Sequence, residues 1–128
     1  MADSAESVVH EFLQAREAGD LDTVLGLLDQ DIVFTDGGRG VHQGRDAVRM
    51  ALQDLGARPV TRTVRSLVAT DRTVLMERSD SFIWHERTIT YDIAVAFDVD
   101  ESGKITRWHE YYDRKSIADQ ISVPETAT

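Results

Sequence analysis

The sequence reads as an α+β domain: a curved antiparallel β-sheet wrapped around three N-terminal helices. Two observations predict it. Apolar residues keep helical spacing up to about residue 55 and strand alternation from about residue 61 onward. The strand-like segments then follow one another without intervening helices, an order that builds an antiparallel sheet with helices gathered on one side. The chain has 128 residues, enough for one domain with one core, and no repeat or low-complexity linker divides 1–128.

Ser4 or Ser7 is placed to cap a first helix with apolar positions Val8, Val9, Phe12, Leu13 and Ala15, and Gly19 stops it. Asp20 caps a second helix carrying Leu21, Val24, Leu25, Leu27 and Leu28, and the short link makes the pair a hairpin. Residues 32–36 form a short strand, after which Gly37, Gly38 and Gly40 force a loop. A third helix runs from about Gly44 to Leu55, with Val48, Ala51, Leu52 and Leu55 on its apolar side, and Gly56 with Pro59 ends it. Strands follow over 61–69, 74–84, 88–99 and 104–113, parted by turns at 70–72, 85–87 and 100–103. The tail carries the signal for one helical turn at 117–121, is flexible from about 119, and frays past Pro124.

Charge and composition exclude several classes of function. A net charge of −9 and a pI near 4.7 repel phosphate backbones and anionic bilayers, so neither nucleic acid nor membrane is an expected partner. Without cysteine there is no disulfide framework and no thiolate zinc site. His10, His42, His85 and His109 lack metal-ligand spacing, so no metal is expected. Asp98-x-Asp100-x-Ser102-Gly103 imitates half a calcium loop, yet His109 stands where the bidentate acid belongs, and a hairpin turn is the simpler reading. Gly37-Gly38-Arg39-Gly40 lacks the spacing and lysine of a phosphate loop, and no serine sits in a nucleophile elbow. No apolar h-region or membrane-length run is present, which makes a soluble cytoplasmic protein the expectation.

Chemistry concentrates on one strand face. At period two, Met76, Arg78, Asp80, Phe82 and Trp84 share a face, so an Arg and an Asp stand among large apolar groups. Burying such charges costs several kcal/mol unless they pair, and these two most simply pair with each other, either as a structural ion pair or on the floor of a pocket. Trp108, Glu110 and Tyr112 repeat the pattern on the last strand, and Ile32, Phe34 and Asp36 on the first. Desolvation raises carboxyl pKa values while Arg78 holds one carboxylate ionised, which separates an acid from a base. Around Arg78, Asp80, Glu110 and Asp36, the expected substrate contacts are Phe34, Met76, Phe82, Trp84, Tyr91, Ile93, Trp108 and Tyr112.

Gly44-Arg45-Asp46-Ala47-Val48, Glu77-Arg78-x-Asp80 and Gly103-Lys104-Ile105-Thr106-x-Trp108-x-x-Tyr111-Tyr112-Asp113, in this order after two helices and a short strand, resemble the limonene-1,2-epoxide hydrolase family. More broadly, residues 6 to 120 resemble the SnoaL-like polyketide cyclases of the NTF2-like fold, shared with nuclear transport factor 2 and ketosteroid isomerase, which implies a cone-shaped, curved antiparallel or mixed β-sheet around the three helices. The resemblance implies that Asp80 is the general acid at the epoxide oxygen, Glu110 the base that activates water and Arg78 the bridge between them. Glu110 stands where that family usually has aspartate, and Phe34 and Asp36 stand where it steadies the water with Tyr and Asn. The expected protein is a cofactor-independent acid/base enzyme that opens an epoxide of a small, uncharged, largely apolar molecule. A polyketide or polyether cyclase, or an isomerase, with Asp36 as an added base is the first alternative. A noncatalytic ligand-binding or dimerisation module is the second. A homodimer is expected, because sheets of this type leave an apolar outer face.

Overall fold

The computed structural model describes residues 4–54 and 60–122. Along the chain run α1 (Ala5–Ala18), α2 (Leu21–Gly26), β1 (Leu28–Asp36), β2 (Gly40–Gln43), α3 (Arg45–Asp54), β3 (Val60–Ala69), β4 (Thr73–Trp84), β5 (Arg87–Val99), β6 (Ile105–Tyr112) and α4 (Arg114–Ile121). The strands form one sheet in the order β2-β1-β6-β5-β4-β3, with β1 and β6 parallel and the other neighbours antiparallel. This is the α+β, NTF2-like arrangement that the sequence predicts. The expected helix end at Leu55, Gly56 and Pro59 and the fraying past Pro124 lie outside the described residues.

Local chemistry sets the helix ends. The Ser4 hydroxyl accepts the Ser7 N–H at 3.1 Å to start α1, and Gly19, at φ 68°, closes it in the left-handed region that glycine adopts without strain. Asp20 then starts α2 by accepting the N–H and the hydroxyl of Thr23 at 3.1 and 2.6 Å. Two boundaries differ from the sequence reading for one reason, the pull of strand pairing. Leu28 leaves the second helix to pair with Ile105, and the Ile105 N–H donates to the Leu27 carbonyl at 2.9 Å. Gly40 to Gln43, expected as loop, pairs antiparallel with β1 as a short edge strand whose four residues are too few to show a period.

The tail is a two-turn helix rather than a single turn. Asp113 caps it, and its far end is fixed to β5, where Arg87 donates to the Gln120 and Ile121 carbonyls at 3.1 and 2.8 Å. Gln120 also exchanges hydrogen bonds with the Thr90 backbone at 3.1 and 2.8 Å.

The core fills one end of the cone. Ala5, Val8, Val9, Phe12 and Ala15 form the buried stripe of α1. Phe12 meets Trp108 and Phe97 edge-on at 5.0 and 5.5 Å, and Trp108 stacks on Phe34 at 3.8 Å. Arg45 ties α3 to this end by donating to the Leu28 carbonyl at 2.6 Å. On the opposite side of the sheet Val68, Leu75 and Tyr111 are exposed beside Ala94 and Ala96, a shallow apolar strip. No helix among the described residues is long and apolar enough to cross a membrane.

Candidate active site

Toward the other end of the cone the sheet, α1, α2 and α4 surround a cavity of about 960 Å³. Its wall carries Arg78, Asp80, Glu110 and Asp36, the four residues singled out for acid/base chemistry. Pairing across the sheet brings them together: Asp80 lies opposite Tyr91 of β5 and Arg62 of β3, and Asp36 lies beside Glu110 in the parallel pair.

Arg78 is the hub. Its Nε and Nη2 meet the two oxygens of Asp80 at 2.9 and 3.0 Å, a two-pronged ion pair between side chains only 4% and 3% exposed. The same Nη2 stands 3.5 Å from Glu110 Oε2, so one guanidinium touches carboxylates from two strands. Strand alternation explains the first contact, since residues two apart project from one face. Sheet pairing explains the second, because Ile93 of β5 lies opposite both Arg78 and Tyr112, which sets β6 two strands from β4.

A second unit adjoins Glu110. The Tyr112 hydroxyl donates to Asp36 Oδ1 at 2.7 Å, joining the ends of β6 and β1. Gly37 makes the approach possible, because a Cβ there would collide with the Tyr112 ring. Its φ of 29° also favours glycine.

The electrostatics divide these groups. Burial pushes the Glu110 carboxyl above the usual range, the Arg78 and Arg16 cations pull it back, and the Asp36 and Asp80 charges push with burial. The Tyr91 hydroxyl is pushed up to about 12, first by burial and then by Asp80 and Glu110. Tyr112 is pushed up too, by burial and by the bond it donates to Asp36, and so keeps its proton. Arg16 is lowered to about 10, mainly by burial.

Of the expected substrate contacts, Phe82, Tyr91 and Tyr112 line the cavity. Phe34, Met76, Ile93 and Trp108 do not: each is at most 4% exposed and packed in the core beneath the site. Alternation gives the face of a residue but not its depth along the cone, and these four sit at the filled end. Trp84 lies past the rim, edge-on to His85 at the β4–β5 turn. The sequence reading missed Arg16, Arg62 and the α4 wall of Ile117, Ala118 and Ile121. Arg16 had a legible signal, since it follows Phe12 by four positions on the apolar stripe of α1. Among the described residues no three His, Asp or Glu side chains converge as a metal-binding group.

Residues 9–108 match the SnoaL-like domain family. Epoxide hydrolase EphG of Mycobacterium tuberculosis is 29% identical over 106 residues, which span 82% of this chain and 70% of that protein. The solved structure of an LEH-like epoxide hydrolase from M. tuberculosis is similar with a TM-score of 0.79 at 27% identity, covering 91% of this chain and 88% of the other. A protein from Xanthomonas campestris pv. campestris, proposed to be a polyketide cyclase, gives a TM-score of 0.80 at 25% identity, covering 92% and 96%.

Proposed function

The chain belongs to the SnoaL-like domain family, and from that premise we propose that it opens epoxides by paired carboxyl chemistry without a cofactor. The observation that carries this reading is the reach of Arg78 to both Asp80 and Glu110 on the wall of one cavity. The pair shares one proton, which burial favours on Glu110 while Asp80 sits on the Arg78 fork, and the reactive form is the one in which that proton has passed to Asp80. Glu110 takes the proton of the attacking hydroxyl or water, the new C–O bond forms, the epoxide C–O bond breaks, and the released oxygen takes the Asp80 proton. The Arg78 fork matches the carboxylate that Asp80 becomes on giving its proton away. A carboxylate whose proton affinity burial has raised is a better base, which suits Glu110 to its role. Return of the proton from Glu110 to Asp80 resets the site. General acid and general base together can supply roughly 10²–10⁴-fold each.

A second reading rests on Asp36 and Tyr112. Their hydrogen-bonded unit beside Glu110 offers a second carboxylate and a phenol, which supports a cyclase whose nucleophile is a hydroxyl of the substrate itself. Variant kinetics on a panel of aliphatic and terpene epoxides test both. Asp80→Asn and Glu110→Gln should each lower turnover 10²–10⁴-fold. Asp36→Asn should match them only if cyclisation is the reaction. Full activity in all three variants would remove the catalytic reading and leave a binding module.

A further inference from the structure

Arginines on the cavity wall differ in what they hold. Arg78 holds Asp80 and Glu110, Arg62 reaches Glu17 Oε1 at 3.4 Å, Arg114 donates to the Gly38 carbonyl at 3.3 Å, and Arg39 is exposed to solvent. Arg16 has no such partner: among the described residues no carboxylate lies within ion-pair distance of it and no hydrogen bond engages its guanidinium. It projects from the last turn of α1 into the cavity wall, with its guanidinium carbon 5.5 Å from the centroid of the Trp108 ring. A cation over an aromatic face is attracted to the ring and uses none of the guanidinium N–H groups. The fork that these N–H groups form fits a carboxylate in two-pronged fashion.

We propose that Arg16 is the binding point for a carboxylate on the substrate, so that the cavity takes an epoxy acid rather than a neutral epoxide. The identity of the reacting group rests on the epoxide-opening reading above; the anion subsite rests on Arg16 alone. Several features agree with it. Arg16 lines the same cavity as Asp80 and Glu110, and that cavity is large enough for an acid of medium chain length. Burial lowers its proton affinity, to a pKa of about 10, and a bound anion would raise it again. The Arg16 charge also lowers the proton affinity of Glu110, so a carboxylate that neutralises Arg16 strengthens the base as the substrate binds.

The test is titration calorimetry with a matched, unreactive pair, octanoate and octanamide, which differ in the charge of one end. Octanoate should bind at least tenfold more tightly to the unmodified protein. Arg16→Met should reduce octanoate to the affinity of octanamide and leave octanamide unchanged, and Arg16→Lys should restore part of the difference. Arg16→Gln, which keeps a polar end, serves if the Met variant fails to fold. Equal affinity of the two ligands, no octanoate binding at millimolar concentration, or equal weakening of both by Arg16→Met would overturn the subsite. Neither ligand carries an epoxide, so the two readings fail separately. Discrimination by Arg16 in a protein inert toward epoxides would sink the epoxide reading alone, and turnover of neutral epoxides without discrimination would sink the subsite alone.

Discussion

Along one face of β4 the chain passes from Val74 and Met76 to Arg78 and Asp80, and all four are equally hidden, at 0, 4, 4 and 2% exposure. At the filled end, hidden means packed: Val74 and Met76 sit in the cluster that holds Phe12, Phe97 and Trp108. At the cavity end, hidden means paired, since Arg78 and Asp80 are tolerated because each satisfies the other. Burial at the first end follows from removing apolar area from water, whereas burial at the second must be offset contact by contact. The two ends should therefore break differently.

The largest effects separate them most clearly. Trp108→Ala should cost about 3–5 kcal/mol of stability in urea denaturation through the cavity it leaves in the packed end. Arg78→Ala should cost about as much, about 3–5 kcal/mol, for a different reason, because it strands Asp80 as a buried charge, and it should abolish activity as well. The sharper comparison is the double variant Arg78→Met with Asp80→Leu. It should recover most of that stability and none of the activity, an outcome impossible at Trp108, where no second substitution supplies the missing volume. Unchanged stability in Arg78→Ala would show that Arg78 is solvated.

Glu110 gives the next effect, and it runs the other way. Its carboxyl is raised in the fold, so the stability it contributes is fully present below its unfolded value of ~4.3 and is lost as pH rises through its higher folded value. Glu110→Gln should therefore become more stable relative to the unmodified protein as pH is raised above that range, while turnover falls. Thermal melts across pH check this, and a parallel decline of both proteins with pH would contradict it. Activity needs one proton in the pair, so the rate should fall on the alkaline side at a pH above the ordinary carboxyl range, by loss of the proton that Glu110 holds most tightly. The smallest effect concerns Tyr112→Phe, which removes the hydroxyl that donates to Asp36 and leaves the fork intact. It should cost about 0.5–1.5 kcal/mol of stability and more in turnover by cyclisation than by hydrolysis.

Much of this difference was legible in the sequence, and the residues show why the rest was not. Arg78 and Asp80 declare themselves by standing two apart among Met76 and Phe82, because a strand face is a short-range property. Glu110 and Asp36 follow by the same rule on their own strands. That Phe34 and Trp108 belong to the floor beneath the site, and not to its wall, depends on how α1 fills the cone, which no alternation records. The α4 wall was hidden for a similar reason. Its eight residues are held by Arg87 and Thr90 of another strand rather than by a strong stripe of their own. Leu28 and the edge strand β2 went astray where pairing partners outweigh local preference.

The central claim is that Asp80 and Glu110, bridged by Arg78, open an epoxide. The most direct measurement is turnover of an epoxide substrate in oxygen-18 water, with the product analysed by mass spectrometry. Hydrolysis predicts a diol that carries one heavy oxygen, lost in Asp80→Asn and Glu110→Gln. An unlabelled ring, still dependent on both carboxyl groups, would move the chain to the cyclases and keep the pair. A labelled diol formed at the same rate by both variants would contradict the account.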